Sequence, residues 1–213
     1  MLKGKTALIT GGARGIGAAI TATLAAQGAN VAVIYAGSQE KAEALCAQCA
    51  QDHGVQAQAY QCDVADFAAA KAVVAQVKKD FGAVDILVNN AGVNKLAPAE
   101  EMPLEVWQKV VGVNLTGTFL MCRTFGNRML QQGHGNIVNV ASMSGLVVNP
   151  LPQQQCAYNS SKAGVIMLTK CMANEWAQRG MRVNAICPGF TDTPLTARRL
   201  STPNDPAVAK WIG

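Results

Sequence analysis

The chain has 213 residues, half of them apolar, with 15% charged and 5% aromatic side chains and a formal net charge of +5. That length suits one domain with a sizeable core, and the composition excludes a collagen-like, disulfide-stapled or disordered chain. Lys and Arg are scattered without basic runs or interleaved aromatics, so no nucleic-acid partner is expected, and no apolar run reaches the roughly 18 residues of a membrane-spanning helix.

The first strand is predicted at 6–10 (TALIT), entered from an N-terminus without the pattern of a secretory signal. It runs into TGGARGIG (10–17), where Gly11 permits a tight turn and Gly15 and Gly17 let backbone approach backbone. The N–H groups that open the next helix, Ile16 among them, face the phosphates of a ligand. The spacing is Gly-x-x-x-Gly-x-Gly, not the commoner Gly-x-Gly-x-x-Gly fingerprint.

The helix GIGAAITATLAAQG stops at Gly28, and a strand follows at 30–35 (NVAVIY). Its end reads Tyr35, Ala36, Gly37, Ser38, with no carboxylate to bind an adenosine ribose, while Arg14 and Ser38 can meet an additional 2′-phosphate. NADP (NADPH) is therefore expected in preference to NAD. Ser38 is also an expected N-cap. Cys46, Cys49 and His53 can share one helical face, but no second cluster completes a metal shell, so no metal is expected. Seven cysteines, an odd number, point to free thiols in a reducing compartment, the cytoplasm.

Further strands are predicted at 55–60, 84–88, 135–142 and 182–187, with a helix at 66–82 capped by Asp66 and ended by Gly82. Strand and helix alternate, which predicts an α/β fold: a Rossmann-type, doubly wound parallel sheet flanked by helices. One domain spanning 1–213 is expected, with 190–213 as a substrate lid.

CAYNSSKAG (156–164) places Tyr158 four residues before Lys162, on one helical face. A cation beside a phenol favours phenolate and lowers a pKa that starts at about 10, which makes Tyr158 a candidate general acid or base.

Taken in order, TGGARGIG, NNAG (89–92), VNLTG (113–117), VASMSG (140–145), YNSSK (158–162) and PGFTDT (188–193) closely resemble the short-chain dehydrogenase/reductase family, over about residues 3 to 195. The resemblance implies that Tyr158 is the acid or base on the substrate oxygen, that Lys162 lowers the phenol pKa and holds the nicotinamide ribose, and that Ser142 orients the carbonyl. Ser142 is preferred to Ser144 because Gly145 sets the register of the family's Ser-x-x-Gly. Asn114 matches the residue that supports a water chain from the lysine. The resemblance also implies that Asn90, Ala91 and Gly92 line the adenine ribose, that Asp63 and Val64 hold the adenine, and that Pro188, Gly189, Thr191 and Thr193 grip the carboxamide and lead into the lid. Tyr35 joins the cofactor set, and Asn89 is expected to tie strands together.

The implied reaction is hydride transfer between NADP(H) and a small-molecule ketone or secondary alcohol. Specificity is expected in the loop MSGLVVNPLPQQQCA (143–157), where Ser144, Asn149 and Gln155 join Ser142 and Tyr158 as candidate substrate contacts. This loop resembles the family's sugar and polyol dehydrogenases, so a ketose or polyol substrate is expected first. The first strands and YAGSQEKAE resemble 3-oxoacyl-[acyl-carrier-protein] reductases equally well, and these are the alternative. An inactive dinucleotide sensor is a third reading, opposed by the presence of Ser142, Tyr158, Lys162 and Asn114 together. Family members commonly continue through another helix and a seventh strand, so a C-terminal strand is expected to be missing from this chain. A homo-oligomer, tetramer or dimer, is expected.

Overall fold

Strands of small and β-branched residues that are buried on both faces need helices on both sides. The first, β1 (Thr6–Thr10), is buried at all five positions. The computed structural model describes residues 1–149 and 153–193; the expected lid beyond Thr193 and loop positions 150–152 lie outside the described residues. The other strands are β2 (Asn30–Tyr35), β3 (Ala57–Gln61), β4 (Ile86–Asn89), β5 (Gly135–Val140) and β6 (Met181–Ile186). They form one parallel sheet in the order β3-β2-β1-β4-β5-β6.

Among the described residues six α-helices cover it: α1 (Gly15–Ala26), α2 (Gln39–His53), α3 (Phe67–Phe81), α4 (Leu104–Val111), α5 (Gly117–Gln132) and α6 (Cys156–Trp176). The period of two divides β1 between the layers. Leu8 packs with Val73 and Val77 of α3 and Met121 and Phe125 of α5, whereas Ala7 and Ile9 pack on the other face with Ala25 of α1 and Cys49 of α2. Among the described residues, β6 is an edge strand, and no helix is long and apolar enough to cross a membrane.

β5 ends two residues before the expected 142, because the chain turns there. The Ser142 hydroxyl accepts the Ser144 N–H at 3.1 Å and caps a 3-10 turn, Met143–Gly145. Gly28 and Gly82 follow α1 and α3 with φ of +88° and +75°, a conformation that favours glycine. The Asp66 carboxylate accepts from Ala68 N–H and Ala69 N–H, as an N-cap should, but Ser38 precedes α2 without a side-chain cap hydrogen bond.

Asp66→Ala is therefore expected to lower unfolding stability by about 1 kcal/mol in urea titrations, and Ser38→Ala to change it by less than about 0.5 kcal/mol. Equal losses would contradict this difference in capping.

Candidate active site

The strand order reverses between β1 and β4, and a parallel sheet opens a crevice beyond the carboxyl ends of its strands at such a point. The turn after β1 holds Gly11 at φ +63° and Gly15 at φ +53°. A Cβ on Gly17 would lie 2.3 Å from the Gly11 carbonyl oxygen and 2.4 Å from Asn90 Nδ2, so only glycine lets α1 start this close to β1. Arg14, exposed at the N-cap of α1, makes no side-chain capping bond, and the first turn has no acidic residue. The opening N–H groups, through Ile16 and Gly17, thus form a cationic terminus suited to a pyrophosphate.

Asn90 secures this loop. Its Nδ2 donates to the carbonyls of Thr10 and Gly11 at 3.1 and 3.0 Å, while the N–H groups of Asn90 and Ala91 donate to Thr10 Oγ1. Its side-chain nitrogen is thereby committed to backbone. Asn89 links strands as expected, donating to Asn139 Oδ1 at 2.9 Å. At the end of β2, Tyr35 is buried, Ser38 is half-buried and Gly37 faces open space. Beside it, exposed Asp63 accepts the Ala65 N–H at 3.0 Å, and buried Val64 presses on Gly117 of α5.

Tyr158 and Lys162 project from α6 toward the end of β5. A Cβ on Gly145 would come within 2.7 Å of the Lys162 carbonyl carbon, so this glycine lets the 3-10 turn rest on the α6 backbone. That packing sets Ser142 beside Tyr158. The Ser142 oxygen accepts the Ser144 N–H, and its hydroxyl lies near enough to the phenol to stabilise the ionised form. Lys162, 4% exposed, donates to the Val140 carbonyl at 2.7 Å, with its Nζ 5.8 Å from the Tyr158 ring centre. Asn114 lies fully buried in a π-helical turn, Gly112–Thr116, between α4 and α5. It pairs both amide atoms with the Val93 backbone, at 2.8 and 3.0 Å, and donates to Ser161 Oγ at 3.0 Å. Gly92 joins the group, since a Cβ there would sit 3.4 Å from Asn114 Oδ1 and 3.6 Å from Lys162 Nζ.

The expected substrate contacts adjoin this centre. Ser144 Oγ accepts from Asn149 Nδ2 at 3.0 Å and Gln155 Nε2 at 3.4 Å, and both amides are buried. Pro188 and Gly189 return beside them: the Pro188 carbonyl accepts the Met143 N–H at 3.0 Å, and Gly189 lies against Met143. Exposed Thr191 bonds the Gly189 carbonyl at 3.4 Å, and Thr193 is half-buried.

Two residues at the site escaped the sequence reading. Ser161 bridges Asn114 to the Tyr158 carbonyl, and Asn94 donates to Gln155 Oε1 at 2.9 Å. The place of Ser161 inside YNSSK was the available signal; Asn94 had none, since its partner is 61 residues away. Cys46 and Cys49 are buried in α2, and burial pushes the Cys46 thiol up to about 12, which suits packing more than metal ligation. Among the described residues no group of three or more His, Cys, Asp or Glu could hold a metal ion.

The family model described as "short chain dehydrogenase" matches residues 5–204. The chain is 46% identical to a D-threitol dehydrogenase of Mycolicibacterium smegmatis over 211 residues, covering 99% of this chain and 79% of that protein. It is 44% identical over 192 residues to the 3-oxoacyl-[acyl-carrier-protein] reductase FabG of Staphylococcus aureus, covering 90% and 76%. Among solved structures, the NADPH-dependent 3-quinuclidinone reductase of Rhodotorula rubra superposes with a TM-score of 0.88 at 38% identity, over 98% of this chain and 76% of that one. An NAD+-bound xylitol dehydrogenase gives 0.86 at 35% identity, over 93% and 75%.

Charge at the centre follows burial. Burial pushes the Tyr158 phenol above its ordinary value, and the hydrogen bond from Ser142 pulls it part of the way back. The i, i+4 spacing predicted the opposite net direction, but removal from water outweighs the lysine at this distance. Burial also pushes Lys162 down to about 8, against a smaller upward pull from Cys187. The unfolded chain therefore binds more protons at this lysine between pH 8 and its ordinary 10.5, so the penalty of burying the ammonium is full below pH 8 and fades as pH rises. Wild-type protein is expected to gain about 3 kcal/mol of stability relative to Lys162→Met across that window, in urea titrations at each pH. A constant difference would contradict a depressed lysine.

Proposed function

From the premise that this chain belongs to the short-chain dehydrogenase/reductase family, oxidoreductases acting on CH–OH groups, we propose that it is an NADP(H)-dependent enzyme interconverting a ketose and a polyol. The observation that carries the reading is the packing of the Met143–Gly145 turn on α6, which groups Ser142, Tyr158 and Lys162 beside Gly92 and Asn114.

In the direction of reduction, Tyr158 gives its phenolic proton to the carbonyl oxygen and Ser142 donates a hydrogen bond to the same oxygen as negative charge develops there. The nicotinamide, when bound, supplies the hydride. Lys162, held by the Val140 carbonyl, presents its ammonium to the nicotinamide ribose and the phenol, and Asn114 supports proton supply to the lysine. Gly11, Gly15, Ile16 and Gly17 take the pyrophosphate. Tyr35, Asp63, Val64, Asn90 and Ala91 frame the adenosine half; Gly92, expected there too, lies instead against Lys162 on the nicotinamide side, and Pro188, Gly189, Thr191 and Thr193 frame the carboxamide.

NADP is favoured over NAD because exposed Arg14 and half-buried Ser38 accompany a strand end without a carboxylate. Polyol chemistry is favoured by the threitol dehydrogenase relative and by the buried amides around Ser144. Reduction of a 3-oxoacyl thioester is the second reading, favoured by the relative of nearly equal identity. A second copy of the chain suits the groove between α5 and α6, where Phe119 is exposed, making a homo-oligomer the expected assembly. Seven free thiols fit the reducing cytoplasm.

Tyr158→Phe is expected to lower kcat/KM by about 10²- to 10⁴-fold with NADPH affinity nearly intact, measured by absorbance and by fluorescence titration. Substantial retained turnover would refute the assigned acid. Arg14→Ala is expected to weaken NADPH binding more than NADH binding; an equal loss would remove the 2′-phosphate role.

A further inference from the structure

Two amides at the substrate side of the crevice have their nitrogen ends tied and their oxygen ends free. Asn94 Nδ2 donates to Gln155 Oε1 at 2.9 Å, and Asn149 Nδ2 donates to Ser144 Oγ at 3.0 Å and to Gln153 Oε1 at 2.8 Å. Each nitrogen faces an oxygen, which sets the orientation of both amides. Asn94 Oδ1 and Asn149 Oδ1 are buried and have no hydrogen-bond partner among the described residues. A buried carbonyl oxygen without a donor is unfavourable, and its need is met by an incoming O–H or N–H group.

Both amides lead back to the reacting centre. Ser144 Oγ accepts from Asn149 and Gln155, and the Ser144 N–H donates to Ser142 Oγ at 3.1 Å. Asn89 and Asn159 also carry unpartnered oxygens, but the Asn89 side chain is bonded to Asn139 and Cys122, and Asn159 meets Gln155 only through its backbone N–H.

We propose that Asn94 and Asn149 form a paired acceptor subsite that binds hydroxyl donors flanking the reacting carbon, selecting polyhydroxylated ketones and alcohols over unhydroxylated ketones and thioesters. The inference rests on the ketose and polyol reading given above and adds a specificity-determining residue, Asn94. A substrate with O–H groups beside its carbonyl supplies donors to both oxygens, whereas the carbonyls and methylenes beside the reacting carbon of a 3-oxoacyl thioester are acceptors or apolar. Ser144, Gln153 and Gln155 act as positioning residues that fix the amide planes. A site built to accept hydroxyl protons discriminates through the groups left unpaired when those protons are missing.

The test compares kcat/KM for xylulose with that for pentan-2-one, which has the same carbon skeleton without hydroxyls, using NADPH and the full chain. In Asn94→Leu the xylulose to pentan-2-one ratio is expected to fall about 10- to 100-fold, the range for leaving buried hydrogen-bonding groups unpaired. Asn94→Gln, which keeps an amide N–H for Gln155 and an acceptor oxygen, is expected to lose less of the ratio than the leucine variant, and Asn149→Leu, expected to lower the ratio likewise, serves if Asn94→Leu does not fold. An unchanged ratio in Asn94→Leu or in Asn149→Leu overturns the subsite while leaving the polyol reading intact. Wild-type protein that reduces an acetoacetyl thioester but not xylulose overturns the polyol reading, and the subsite with it.

Discussion

A lysine buried to 4% exposure needs a compelling partner, and Lys162 has one in the Val140 carbonyl at 2.7 Å. That bond ties the middle of α6 to the last residue of β5, and the parts of the crevice are arranged around it. The 3-10 turn after β5 lies flat on α6 only because residue 145 is glycine, and residue 92 sits within ordinary contact distance of the ammonium and Asn114. Desolvation sets the energetics of the centre: it depresses the lysine to about 8 and raises the tyrosine, so near neutral pH the phenol keeps its proton and the lysine is still mainly the ammonium.

The other half of the crevice depends on backbone proximity. Gly17 places α1 against the turn after β1, and Asn90 clamps that turn to the end of β4 with two side-chain bonds. These contacts hold the open N-terminus of α1 beside the reversal in strand order, a terminus that offers N–H donors and no carboxylate in its first turn. The two halves meet at residues 90–94, since Asn90 holds the glycine turn, Gly92 packs on Lys162, and Val93 is bonded to Asn114. One short segment after β4 thus aligns both sides of the site.

Much of this was legible in the sequence. β1 and β2 appear at the residues read from TALIT and NVAVIY, because parallel strands covered on both faces leave uninterrupted apolar runs. The ends of β3, β4 and β5 differ by one or two residues, where turns and caps compete with the ladder. Tyr158 and Lys162 could be paired from spacing alone, but their roles came from the family resemblance. Two things left no local trace. The net direction of the Tyr158 shift depends on burial supplied by distant elements, and the Asn94 to Gln155 bond joins residues 61 apart. The π-helical turn around Asn114 was also hidden, since GVNLT continues the helical pattern on either side.

The central claim is that this crevice reduces a hydroxylated ketone. The most direct measurement follows NADPH oxidation by absorbance with fructose, sorbose and xylulose beside an acetoacetyl thioester. Faster turnover of a ketose is the result the account predicts; faster turnover of the thioester would contradict it and assign the crevice to acyl-chain reduction.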